Sequence, residues 1–157
     1  MPRIHLTRLT ITATTIDINQ HVNNIAYVQW MQDGATAHSA AQGWTLERYR
    51  ELGAGWVVRS HGIEYLRQTF AGDTLLLYTW VAGLTNCSSP RRYLFLRESD
   101  QAPVAKAETL WVFVDFTTGR PAQIPPEVVT AYPVVADDDP ELVALTRRQP
   151  RGRVRAG

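Results

Sequence analysis

The 157-residue chain holds a single cysteine, Cys87, so no disulfide can form within it. One thiol fits a reducing compartment. No apolar run approaches the ~18 residues that a membrane span needs. The opening Met1-Pro2-Arg3-Ile4-His5 lacks the apolar core of a signal peptide. The expectation is a cytoplasmic protein with no membrane partner. The G-x-S-x-G elbow, the P-loop and G-x-G-x-x-G are all missing, which removes the usual marks of a serine nucleophile and of phosphate or dinucleotide binding. No His, Cys, Asp and Glu residues share metal-ligand spacing, so neither a metal nor a cofactor is expected. His5 and His38 are isolated, and Cys87 has no triad context.

Acidic residues stop at Glu141, whereas Arg147, Arg148, Arg151, Arg153 and Arg155 crowd the last eleven positions. Residues 1–146 carry 11 basic and 15 acidic groups, a net of −4, and the end of the chain brings the total to +1. A Pro/Gly/Arg stretch of this kind reads as a solvated tail, and no nucleic-acid partner is expected. The expected organisation is one domain over residues 1–135 and an Arg-rich, partly flexible tail over 136–157. Apolar residues make up 45% and charged residues 20% of the chain, a balance suited to one globular domain with a core of its own.

Within that domain the hydrophobic pattern passes from strand period to helical period and back. Residues 3–13 alternate apolar and polar and are rich in β-branched types, as a strand requires. A polar loop spans 14–22. Asn23 or Asn24 can cap a helix, and Ile25, Val28, Met31 and Ala35 recur at helical spacing until Gly43 stops it. A shorter helix is expected over 45–52. Strands are expected over 55–70, 74–86, 91–99 and 103–116, with Ser88-Ser89-Pro90 as a break. Alternation along 55–70 puts Val57, Arg59 and His61 on one face and Val58, Ser60 and Glu64 on the other. Pro125-Pro126-Glu127 opens a last short helix. This order gives an α+β fold, an antiparallel five-stranded sheet curled around one long helix. An edge strand left over in such a sheet could pair with a second copy.

Chemistry concentrates in Thr15-Ile16-Asp17-Ile18-Asn19-Gln20-His21-Val22-Asn23-Asn24. A carboxylate, a carboxamide and an imidazole within five positions can orient a water and take its proton. The segment runs straight into a helix, whose free N–H groups can stabilise a developing oxyanion. A general base beside an oxyanion hole is what acyl-transfer hydrolysis needs. Asp17 also suits a turn, and Asn23 suits a side-chain cap. Arg91 and Arg92, after a turn, could meet the phosphates of a ligand.

The string Asp17-Ile18-Asn19-Gln20-His21-Val22-Asn23-Asn24, followed by Tyr27, resembles the D-x-N-x-H-V-N-N signature of acyl-acyl-carrier-protein thioesterases. It also resembles the broader 4-hydroxybenzoyl-CoA thioesterase-like group of hot-dog proteins, in which a short D-x-x-G-x-V segment precedes the long helix. Ile63-Glu64-Tyr65, Gly72-Asp73-Thr74-Leu75, Trp111-Val112-Phe113-Val114-Asp115, Gly119-Arg120-Pro121 and Ile124-Pro125 extend the likeness over about residues 5–135. The resemblance implies a single hot-dog fold and hydrolysis of an acyl-CoA or acyl-carrier-protein thioester.

It further implies that Asp17 activates water or attacks the carbonyl, and that Asn19 and His21 position the water or polarise the acyl group. The Asn24 N–H would bind the oxyanion, and the site would lie between subunits of a homodimer or homotetramer. Tyr27, Gln68 and Thr69 are the candidate substrate-binding residues. Gln68 and Thr69 stand where the carrier-protein branch has an acid and a cysteine, which places the chemistry on Asp17. Two rival functions fit the same resemblance. One is a non-catalytic acyl-CoA-binding protein. The other is a hydratase or dehydratase, which would carry D-x-N-P-x-H; here Asp17 and His21 are four apart and no proline follows Asn19.

Overall fold

The computed structural model describes residues 3–16 and 22–147. Five strands, β1 (His5–Thr10), β2 (Ala54–Tyr65), β3 (Thr74–Val81), β4 (Ser88–Arg97) and β5 (Pro103–Asp115), form one sheet in the order β1-β3-β4-β5-β2. All four pairings are antiparallel. Helix α1 (Asn24–Ala41) packs on one face, and α2 (Leu46–Leu52) follows it. This is the α+β hot-dog arrangement that the sequence leads one to expect. No helix among the described residues is long and apolar enough to cross a membrane.

Helix α1 starts at Asn23, whose side-chain oxygen accepts from the Ile25 N–H at 2.9 Å. It ends where Gly43 takes a left-handed conformation, φ +89°. Its buried stripe is Tyr27, Met31, Gly34, Ala35 and His38. Tyr27, Met31 and Ala35 share a core with Leu75, Leu77, Tyr93, Phe95 and Val104, which fixes the helix to β3, β4 and β5. At Gly34 the helix passes so close to β3 that an added Cβ would lie 3.0 Å from Leu77 Cδ2. The expected face needs correction. Ile25 is 74% exposed and Val28 only half-buried, because Ile25 precedes Tyr27 by two residues, about 200° around an α-helix.

Three strand expectations also change. The register between β2 and β5 shifts between Val58 and Ser60, a bulge at Arg59. The extra residue reverses the alternation, so Trp56 packs in one inner cluster and Ile63 in another, while Val57 is exposed. Val57 and His61 therefore lie on opposite faces. Strand β3 ends at Val81 rather than running to Asn86, because Thr85 and Ser88 close a turn by backbone and hydroxyl bonds.

The expected break at Ser88-Ser89-Pro90 is instead the start of β4. Its ladder tolerates Pro90. The Pro90 carbonyl accepts from the Ala82 N–H, so the donor that proline lacks faces the point where the chain is leaving β3.

The opposite face of β3 and β4 carries a second core, in which Leu76, Trp80, Leu94 and Leu96 meet Ile4, Val135 and Leu142. Leu142 belongs to a helix α4 (Pro140–Arg147), which follows α3 (Pro126–Ala131). Helix α4 thus falls inside the stretch read as a tail, and burying a leucine there contributes about 1.5–3 kcal/mol. Asp139 adds an ion pair to Arg3 at 2.6 Å. Arg148, Arg151, Arg153 and Arg155 lie outside the described residues.

Candidate active site

The structure around the start of α1 is built from backbone pairing on both sides of the polar segment. Ile16 and Val22 form an isolated antiparallel bridge. The Asn23 N–H donates to the Thr15 carbonyl at 2.6 Å, and the Val22 N–H to the Thr69 carbonyl at 3.3 Å. Asp17, Asn19 and His21, with Ile18 and Gln20, lie outside the described residues.

The first turn of α1 disposes of its N–H groups unequally. Ile25 donates to the Asn23 side chain, and Ala26 donates to the Asn23 carbonyl at 2.9 Å. The Asn24 N–H has no hydrogen-bond partner among the described residues, and Asn24 is exposed. An 18-residue helix concentrates partial positive charge at this end.

Tyr27, one turn further on, is buried, and its hydroxyl lies 2.9 Å from Thr69 Oγ1. Its ring meets Trp30, Tyr65 and Phe95 edge-on, with centroids 5.1–5.3 Å apart. Burial pushes the Tyr27 phenol above its ordinary value and outweighs the opposing pull of the Thr69 hydroxyl, so Tyr27 stays protonated at neutral pH.

Thr69 sits in the segment between β2 and β3, which Arg97 holds in place. Its guanidinium donates to the Gln68 carbonyl at 2.8 Å and to Asp100 at 3.0 Å, with Asp73 at 3.7 Å. The Gln68 side chain is exposed, whereas Thr69 is 2% exposed. Asn24, Tyr27 and Thr69 are thus brought together through Val22 and the Tyr27–Thr69 contact. Gln68 joins them through its backbone. Around them Ile25, Tyr65, Leu66 and Phe70 leave apolar surface in solvent.

Arg91 and Arg92 do not behave alike. Arg92 pairs with Glu108 at 3.0 Å and with Asp137 on the exposed face. Arg91 is not the exposed strand-end arginine that its place after a turn suggests. It is 5% exposed and points inward under α1, on the same side of β4 as Tyr93 and Phe95. That shared parity is the signal that would have located it. Among the described residues no group of three His, Cys, Asp or Glu is placed to hold a metal.

The sheet order, the long helix and the capped polar segment before it define a hot-dog protein. Residues 11–132 match the model of the thioesterase-like superfamily, and the chain belongs to that family. No curated protein matches the sequence.

Similar solved structures include a hypothetical protein from Staphylococcus aureus in complex with CoA. It is 16% identical with a TM-score of 0.77, over 94% of this chain and 86% of that one. A 1,4-dihydroxy-2-naphthoyl-CoA thioesterase from Synechocystis is 15% identical with a TM-score of 0.75, over 82% of this chain and 94% of that one. The 12:0-ACP thioesterase from Umbellularia californica is 20% identical with a TM-score of 0.75, over 85% of this chain and 52% of that one. At these identities the likeness is one of fold.

Proposed function

We propose that the protein hydrolyses an acyl-CoA or acyl-carrier-protein thioester, releasing a free acid and a thiol. The observation that carries the reading is the Asn24 N–H. It stands without a partner among the described residues at the head of α1, directly after a segment with an acid, an amide and an imidazole. A thioester carbonyl oxygen that gains negative charge needs a donor of this kind, and a helix start is already oriented for it.

In this reading Asp17 takes a proton from water as the water attacks the carbonyl, or attacks it directly to give an anhydride that water then opens. Asn19 and His21 orient the water and the acyl group. Tyr27, Gln68 and Thr69 belong to the substrate-binding wall, with Thr69 acting mainly through the Tyr27 hydroxyl that it fixes. Hydrolysis needs no cofactor.

The partner is a second copy of the chain, as a homodimer or homotetramer. Among the described residues strand β2 pairs only with β5, so its other edge is unpaired there, and apolar Tyr65, Leu66 and Phe70 stand in solvent where it ends. A second subunit meeting that edge would cover them and close the pocket beside the helix start.

The test is release of free thiol from short-chain, long-chain and aromatic acyl-CoA and from acyl-carrier-protein substrates. Turnover of at least one class supports the reading. Saturable binding of a substrate with no turnover of any would favour a non-catalytic acyl-CoA-binding protein, a reading suited to a chain with Gln68 and Thr69 where the carrier-protein branch it resembles has an acid and a cysteine.

A further inference from the structure

A second polar site lies at the other end of α1 and does not depend on the thioester reading. A cavity of about 200 Å³ opens between the C-terminal half of α1, α2 and the sheet. Trp44, Trp56, Trp111 and Tyr132 form aromatic walls, Arg91 is buried in its lining, and Arg50 is exposed there. Among the described residues no acidic side chain lines it. Ser39, on the wall, is fifteen residues beyond Asn24, about 22 Å along a helix axis.

Apart from the exposed Thr36, the hydroxyl groups lining the cavity are already committed. Ser39 Oγ donates to the Trp44 carbonyl at 2.7 Å. Tyr132 must then donate to Ser39, with which it is in short contact, and Tyr49, 2.6 Å from the Tyr132 hydroxyl, must donate to Tyr132. Trp56 Nε1 completes the chain by donating to the Tyr49 hydroxyl at 3.0 Å. Each group has one proton and has spent it. Ser89 Oγ likewise donates to the Gly83 carbonyl at 2.8 Å. Burial holds the Tyr132 phenol far above its ordinary value, so it carries no charge that could neutralise Arg91.

Arg91 differs. Its Nη1 donates to His38 Nδ1 at 2.9 Å and to Thr79 Oγ1 at 3.2 Å. Nε and Nη2 have no hydrogen-bond partner, and no carboxylate pairs with the guanidinium, among the described residues. A guanidinium remains protonated in proteins, and a buried charge without a counter-charge is strongly unfavourable. An anion in the cavity would remove that cost and accept the two unspent sides of the fork.

We propose that this cavity binds an arene carboxylate, with its carboxylate on Arg91 and its ring between the tryptophans. One guanidinium, Arg91, is buried in the lining, whereas Arg50 is exposed to solvent, and a single buried cation suits a monoanion. The aromatic walls suit a flat apolar body, and a dry cavity of about 150 Å³ already accommodates benzene.

Benzoate is the probe, and the tryptophans lining the cavity are the reporters. Benzoate gives a saturable change in intrinsic fluorescence, and neutral benzamide binds at least tenfold more weakly. Arg91→Met, which keeps the bulk of the side chain, abolishes the difference between the two ligands while circular dichroism stays native. Thr36→Phe, at an exposed helix position lining the cavity, removes the saturable signal. It serves as the second test should Arg91→Met fold poorly. The proposal is overturned by a benzoate signal that does not saturate, by equal binding of benzamide to the unaltered protein, or by benzoate binding of unaltered affinity in either variant.

Discussion

The hydroxyls of Tyr27 and Thr69 meet at 2.9 Å in a buried contact that joins the second turn of α1 to the segment between β2 and β3. The Thr69 carbonyl also takes the Val22 N–H, so one residue braces both the helix and the strand of chain entering it. Removing either hydroxyl strands the other in an apolar setting. Tyr27→Phe and Thr69→Val should each cost about 1–3 kcal/mol in urea denaturation. The double variant should cost less than the sum of the two, because the second change removes a group already without its partner. Strict additivity would show that the contact carries no weight.

Asn23 sets the entry to α1 by capping Ile25. Asn23→Ala should lower stability by about 0.5–2 kcal/mol. It should lower thioester turnover by more than the loss of folded protein accounts for, since the cap fixes the orientation of the neighbouring Asn24 N–H. Initial rates measured well below the melting temperature separate the two effects.

Acidification should destabilise the fold. Burial, helped by the positive charge of Arg91, holds His5 below its ordinary value of 6.5, and burial does the same to His61 beside Thr109. Both are depressed in the folded state, so between the folded and unfolded values the unfolded chain binds more protons. Their contribution is complete above about pH 6.5 and declines as pH falls through the folded values. Melting temperature should therefore drop between pH 7.5 and 5, with a smaller drop in His61→Gln. A larger drop in that variant would contradict the assignment.

The edge of β2 that has no partner strand among the described residues predicts association. Light scattering should give two or four times the 17.7 kDa chain mass. A monomer that retains full turnover would show that one copy completes the pocket alone.

The helix and its ends were readable from the chain because Asn23 and Gly43 are chemical signals for starting and stopping it. Its face was not. Ile25 and Val28 are as apolar as Met31, and only packing shows that the stripe runs through Tyr27 and His38. The bulge at Arg59 leaves no mark in composition, so strict alternation puts Val57 on the face of His61 when the structure puts it on the opposite one. Pro90 reads as a break because the sequence does not show which side of the strand its missing donor faces.

Helix α4 is not legible in the sequence because its anchors, Leu142 and Leu145, have meaning only against the core of Leu76 and Leu94. Arg91 was legible in principle, two and four residues before Tyr93 and Phe95, once the start of β4 is known. The string proposed to carry the catalysis is the reverse case. Its residue types are distinctive in sequence, and Asp17, Asn19 and His21 lie outside the described residues.

The central claim is therefore best tested on Asp17 itself. With the best substrate of the panel, initial rates of thiol release are compared for the unaltered protein and Asp17→Asn, each verified as folded by circular dichroism. Loss of the base or nucleophile should lower kcat by about 10²–10⁴-fold, leaving substrate binding nearly unchanged. An Asp17→Asn protein that turns over at the unaltered rate would contradict the account.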